Sequence, residues 1–302
     1  MSGIYTGDYV IESDSDIAAI ADCYKIDGSL TITGGRLLSL TGLESLQEVT
    51  GTLVITNTAA LASLDGLERL ESIGALFVYR NSVLTGLSGA ASLTEINGYV
   101  AIEGNASLAS LVGLEMAAGI TDLTVQENPS LISLDGLGER LVALNDLQIK
   151  DNPALRSIEA LSGLTTVNGY LDIWNNAALV SLAGLEDLSA ALFYFHIWDN
   201  PALEDVSALR SLGVMGGNLS ITGNESLTDL VGFDSLSVVA GDLTISDNDE
   251  LSALSGFGVL STVDSTLTVQ RNASLCDSVA DAFVRDIEVG GETVVEDNLP
   301  GC

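Results

Sequence analysis

Positive charge is scarce in this sequence. Ten Lys and Arg residues face 42 Asp and Glu, for a formal net charge of −32. Such a surface repels phosphate backbones and anionic headgroups, so neither nucleic acid nor a membrane surface is expected as a partner. One histidine is present, His196, too few for a histidine–cysteine metal cage. Gly-x-Ser-x-Gly, phosphate-cradling glycine loops, His-Glu-x-x-His and Cys-x-x-Cys do not occur, so no cofactor is expected. No run of 18 apolar residues exists, which argues against membrane insertion. The opening Met1-Ser2-Gly3-Ile4-Tyr5 has neither the basic nor the apolar region of a signal peptide. Aromatics are 5% of the chain and prolines number 4, against 31 glycines; the core must be aliphatic and the turns many.

Cysteine is also rare, and its placement is informative. Of three, Cys276 and Cys302 stand at opposite ends of the terminal segment, where a disulfide would staple the end and imply an oxidising compartment. The expected location is therefore extracellular or cell-surface, the chain being a mature form restarted with methionine. Cys23 is left over and is expected to be buried as a small apolar residue.

What the sequence has in abundance is repetition. The pattern Gly-x-Leu-x-Ile-x-x-Asn-x-x-Leu-x-x-Leu-x-Gly-Leu-x-x-Leu-x-x-Val recurs, with its strand Ile or Val at Ile32, Ile55, Val78, Ile102, Val125, Ile149, Ile173, Ile197, Ile221, Ile245 and Val269. The steps are 23 or 24 residues. No such unit can bury its own apolar face, so neighbours must stack. The predicted fold is an all-β repeat solenoid: a parallel β-helix of about eleven leucine-rich coils, right-handed as parallel crossovers almost always are. Its organisation reads as an N-terminal cap over 1–27, coils over 28–274 and a C-terminal cap over 275–302.

Three residues past each strand Ile or Val stands Asn81, Asn105, Asn128, Asn152, Asn176, Asn200, Asn224, Asn248 or Asn272, with Asn298 in the last segment. An amide carries both donor and acceptor, so these side chains are expected to form an inward ladder satisfying turn backbone groups. Gly35 and Thr58 break the pattern in the first two coils. The sequons at Asn105, Asn224 and Asn272 then fall on inward residues; only Asn218 faces outward. The residue before the ladder position is often Gly, Asn or Asp, types that tolerate a left-handed turn.

Each end needs a cap against exposed strand edges. A strand over Asp8–Ile11 and a helical turn with Ile17 and Ile20 on one face serve the first. Leu275, Val279, Phe283 and Ile287 recur every four residues and predict an amphipathic helix at the other, followed by a strand over Thr293–Glu296 and the Cys276–Cys302 bridge.

The recurring Gly-Asp/Asn-Leu-Thr-Ile-x-x-Asn-x-x-Leu, as in Gly217–Leu227 and Gly241–Leu251, resembles the receptor L domain repeat, and so does Leu134-Asp-Gly-Leu137. The ending from Asn272 to Cys276 and from Asn298 to Cys302 is similar to the close of bacterial secreted and surface members. The resemblance implies extracellular placement and a strand face that binds partners. A hormone-receptor role is not carried over, because the coils are about twice those of a receptor domain and neither a transmembrane nor a kinase segment is present.

Function must come from the outward positions. On two adjacent coils these gather Tyr170, Asp172, Trp174, Tyr194, His196 and Trp198, including both tryptophans and the only histidine. Indole faces beside Asp172, His196 and Lys150 suit sugar rings, so a glycan or protein ligand is expected here; a cross-strand aromatic ladder or a contact within an oligomer would use the same residues. Phe77, Tyr79 and Tyr99 form a smaller cluster that reads as scaffold. Asp122 with Asp146, and Asp172 with His196, raise a polysaccharide-active enzyme, but flat open positions do not drive two pKa values apart, and the expectation is no enzyme. Threonines at Thr222, Thr244, Thr266 and Thr268 raise ice binding, which the aromatic and charged middle of the face interrupts. The turn acids Glu127, Asp151, Asp199 and Asp247 leave room for calcium, though turn propensity explains them equally well. The expected function is an extracellular recognition or adhesion module, with a structural scaffold or assembly subunit as the alternative.

Overall fold

The computed structural model describes residues 3–138 and 140–302, which gather into two compact units, Met1–Leu141 and Val142–Cys302. Each is a stack of parallel strands, a parallel β-solenoid as the repeat predicts. In the first unit Ile4–Thr6, Lys25–Asp27, Glu48–Thr56, Ser72–Tyr79, Tyr99–Glu103 and Asp122–Gln126 pair in that order, all parallel. Tyr9–Ile11 and Leu30–Thr33 join beside them. In the second, Leu147–Lys150, Tyr170–Trp174, Tyr194–Trp198, Leu219–Thr222, Leu243–Ser246, Leu267–Gln270 and Thr293–Glu296 follow one another. Like residues stack on like: Leu53 on Leu76, Ile197 on Ile221, Leu243 on Leu267. A one-residue slip would turn each inward Leu and Ile to solvent, so the pleat alone holds this register.

A second parallel sheet in the second unit was not visible in the repeat. Seven two-residue strands, from Ala143–Leu144 to Glu288–Val289, stack in sequence order. They sit at the pattern's closing Val, where Val167, Ala191, Val239 and Val263 are fully buried. Between the two sheets the leucines fill the coil: Leu179, Leu182, Leu185 and Leu188 are fully buried in one coil alone. Each contributes about 1.5–3 kcal/mol by burial. Gly184 (φ 109°) turns this arc, and a Cβ there would strike the carbonyl oxygen of Ile158 in the preceding coil.

The asparagine ladder forms. Asn200 Nδ2 donates to the Ile173 and Trp198 carbonyls, each at 2.9 Å, and to Asn224 Oδ1 at 3.3 Å, while Asn176 N donates to Asn200 Oδ1 at 3.1 Å. The same pattern repeats at Asn224 and Asn248. Thr58, expected to break the ladder, instead starts it: it is fully buried and its hydroxyl donates to Asn81 Oδ1 at 2.7 Å. Asn105, Asn224 and Asn272 are fully buried, so their sequons do face inward.

The turn before each rung has positive φ as expected at Asn57, Asp151, Asn175, Asp199 and Asp247. Arg80, Glu127 and Arg271 adopt it too, with φ of 51–57°, although their side chains disfavour that region. The ladder leaves the backbone no alternative.

The ends differ from expectation in detail. Tyr9–Ile11 and the helix Asp14–Ile20 are present, with Ile17 and Ile20 buried. Asp16 caps that helix, accepting from the backbone N–H groups of Glu12 and Ser13. The C-terminal helix spans Asp277–Arg285, but its buried residue is Ala280; Val279 is 37% exposed. Of the four residues so spaced, Phe283 does pack on Phe257 (5.5 Å between centroids) and Leu275 is fully buried just before the helix, but Val279 does not face inward. Cys276 and Cys302 are bonded, with 5.8 Å between their Cα atoms. Cys23 is free and half-exposed rather than buried, because it follows the helix in a turn and not on its inner face.

Candidate functional site

The parallel pairing of Tyr170–Trp174 with Tyr194–Trp198 sets Tyr170 beside Tyr194, Asp172 beside His196 and Trp174 beside Trp198. Alternation sends Leu171, Ile173, Phe195 and Ile197 into the core, where all four are fully buried, and turns the other six outward. All six residues singled out in the sequence thus meet on one face.

At its polar end Asp172 is the hub. Its carboxylate accepts from His196 Nδ1 at 2.7 Å and from Lys150 Nζ at 3.1 Å. Burial works to raise its pKa, but the hydrogen bonds from His196 and Lys150, with their charge, outweigh it and hold the carboxyl below its usual range. The Lys150 ammonium also lies 5.8 Å from the Trp174 ring centroid, within cation–π reach. Lys150, Asp172, Trp174, His196 and Trp198 together line a shallow hollow of about 100 Å³.

The rings do not lie flat as open platforms. His196 stacks on Trp198 (4.2 Å between centroids, 21° between planes) and on Tyr194 (5.6 Å, 18°). Both imidazole faces and one face of Trp198 are thereby covered, and Trp174 meets Trp198 edge-on. Part of the expected sugar-stacking surface is taken up by the rings themselves, since residues two apart on a strand project side by side. Trp198 Nε1 donates to Ser220 Oγ at 2.7 Å. Trp174 Nε1 is buried without an acceptor, a cost of about 1–3 kcal/mol.

Two members escaped the sequence reading. Leu192 and Phe193 are 41% and 42% exposed, and the Phe193 ring packs on Tyr170 (5.3 Å) and Tyr194 (4.1 Å). The signal was present: neighbouring coils carry Gly169, Gly217 and Gly241 where this one carries Phe193. The face thus has an apolar end and a charged end.

Other outward expectations fare differently. By strand alternation Ala101, Thr124 and Ser246 are expected outward, yet they are buried, Thr124 beneath Tyr99, whose hydroxyl donates to its Oγ1 at 2.7 Å. Among the turn acids, Asp247 is paired with Arg271 and Asp151 accepts from Asn175 Nδ2. Among the described residues no three His, Cys, Asp or Glu side chains gather as a metal cage, and no helix is long and apolar enough to cross a membrane.

Residues 22–87 match the receptor L domain. The chain is receptor L domain-like over that stretch, which holds the strands Lys25–Asp27 to Ser72–Tyr79. The match points to a receptor-like ligand-binding module. It lies outside the aromatic face, so that face owes nothing to it. A comparison with curated proteins finds no match.

Proposed function

We propose that this chain is an extracellular recognition module whose face at Tyr170–Trp198 binds a protein partner. The observation that carries this reading is the exposure of Leu192 and Phe193 beside the aromatic file, at positions where neighbouring coils carry Gly or Asn. Tyr170 and Tyr194 cover only part of Phe193, and the rest of both side chains faces water. A partner that covers them recovers their burial, about 25 cal/mol per Å². The composition is that of an interface centre: Tyr, Trp and Phe around a few charged groups already paired with one another. The hollow of about 100 Å³ is far below the roughly 300–1,000 Å³ of small-ligand pockets, and fits one protruding side chain. The covered ring faces weigh against a glycan as the main ligand. The disulfide and the receptor-like coils support placement outside the cell.

The test is binding to arrays of surface proteins and glycans by the wild type and by Trp174→Ala/Trp198→Ala. The expected result is a protein signal lost in the double variant while circular dichroism is unchanged. Unaltered binding by the variant would remove this face from the account, and a glycan-only signal would change the ligand class.

A further inference from the structure

Another opening lies in the first unit. A cavity of about 480 Å³ lies beside Gly104, lined by Tyr79, Arg80, Glu103, Gln126 and Glu127. Its origin is a single residue type. Arg80, Gly104 and Glu127 occupy the left-handed turn position of three successive coils, with φ of 55°, 66° and 57°. Gly104 has no side chain, so the groove between its neighbours stays open.

The second unit shows what happens without such a gap. There Arg271 and Asp247 hold the same turn position in adjacent coils and form a two-pronged ion pair at 2.7 and 2.9 Å. Arg80 and Glu127 are kept two coils apart, roughly 10 Å along the stack. No hydrogen bond or ion pair engages the Arg80 guanidinium, the Glu103 or Glu127 carboxylate, the Gln126 amide or the Tyr79 hydroxyl among the described residues. Five polar ends converge on one cavity with their capacity unspent, whereas the polar groups at Asp172 are paired with one another.

We propose that this cavity binds a small zwitterion, its carboxylate received by Arg80 and its amine by Glu103 and Glu127. The charges select the class. A simple anion meets two carboxylates, and a simple cation meets the guanidinium; only a molecule with both charges satisfies all three groups. Burial, then the charges of Glu103 and Tyr99, push the Tyr79 phenol up to about 12, so it stays protonated and donates to the ligand carboxylate. Arg80 and Glu127 also hold a backbone conformation that long side chains disfavour, at the two walls of the cavity.

The probes are glycine, 4-aminobutyrate and 6-aminohexanoate, which lengthen the separation of amine and carboxylate, with acetate, butylamine and glucose as controls, all by titration calorimetry on the full chain. Saturable binding should strengthen with length to 6-aminohexanoate and be at least about tenfold weaker for every control, as expected for loss of one charge-assisted contact. Gly104→Asn refills the groove with a residue type that tolerates this turn, since Asn57 and Asn175 hold it at φ of 54° and 53°. Its Cβ would sit 3.4 Å from Arg80 Cγ, an ordinary contact. This variant should keep its circular dichroism and lose binding, and Arg80→Gln should weaken binding about tenfold. Absence of saturable heat with all three amino acids overturns the proposal. So does equal binding of any control, or binding that survives Gly104→Asn. The double tryptophan variant should bind 6-aminohexanoate normally, which keeps this site separate from the protein-binding face.

Discussion

Asn200 shows how much one side chain holds in this fold. Its amide donates to two carbonyls and accepts from the preceding rung, all out of reach of water. Asn200→Ala strands those groups, each at about 1–3 kcal/mol. The expected loss is about 3 kcal/mol or more, read as a lower urea midpoint with an unchanged slope. Asp172 makes a different prediction. Its folded pKa is lowered despite burial, so the stabilisation it contributes is complete above the unfolded carboxyl value near pH 4 and is lost as pH falls through the lower folded value. Asp172→Asn should therefore be less stable than wild type at pH 7, and the gap should shrink below about pH 4. A constant gap across that range, measured by denaturation at each pH, would deny the carboxylate this role.

Elements here have no independent stability; a strand of four residues persists because others lie against it. The last strand, Thr293–Glu296, has a partner on one side, Leu267–Gln270, and is tied down by the Cys276–Cys302 bridge. Closing that separation of 26 residues contributes about 3 kcal/mol in the chain-entropy model. Cys302→Ser should accelerate hydrogen exchange in Thr293–Glu296 first and leave Tyr170–Trp174 unchanged; uniform acceleration would mean that the bridge stabilises more than its own segment. At this scale the sequence is most legible. Strand positions, the ladder and the terminal strand follow from strict spacing, because inward residues answer to one repeated geometry. The C-terminal helix face is legible only in part: Phe283 packs on Phe257, but Val279 sits beside the buried Ala280, and a nine-residue helix gives few turns to average. The second sheet was missed because a two-residue strand leaves no alternation to detect.

For the molecule as a whole, outward residues are unconstrained by the repeat, and there the sequence is legible only in part. The six aromatic and charged residues could be placed on one face by counting columns. Their mutual stacking could not, because ring orientation depends on rotamers and not on register. Gly104 was invisible for the opposite reason: it satisfies the turn rule, and what matters is the side chain it lacks between Arg80 and Glu127. The central claim, that the face at Tyr170–Trp198 is where this receptor-like solenoid meets its partner, has a built-in reporter. The chain has two tryptophans, and both stand in that face. Titrating the wild type with a partner identified on the arrays, while following tryptophan emission and complex formation by sedimentation, therefore watches the proposed site directly. The account predicts a saturable emission change whose midpoint matches the binding midpoint. A complex that forms fully while the emission of Trp174 and Trp198 stays unchanged would contradict it.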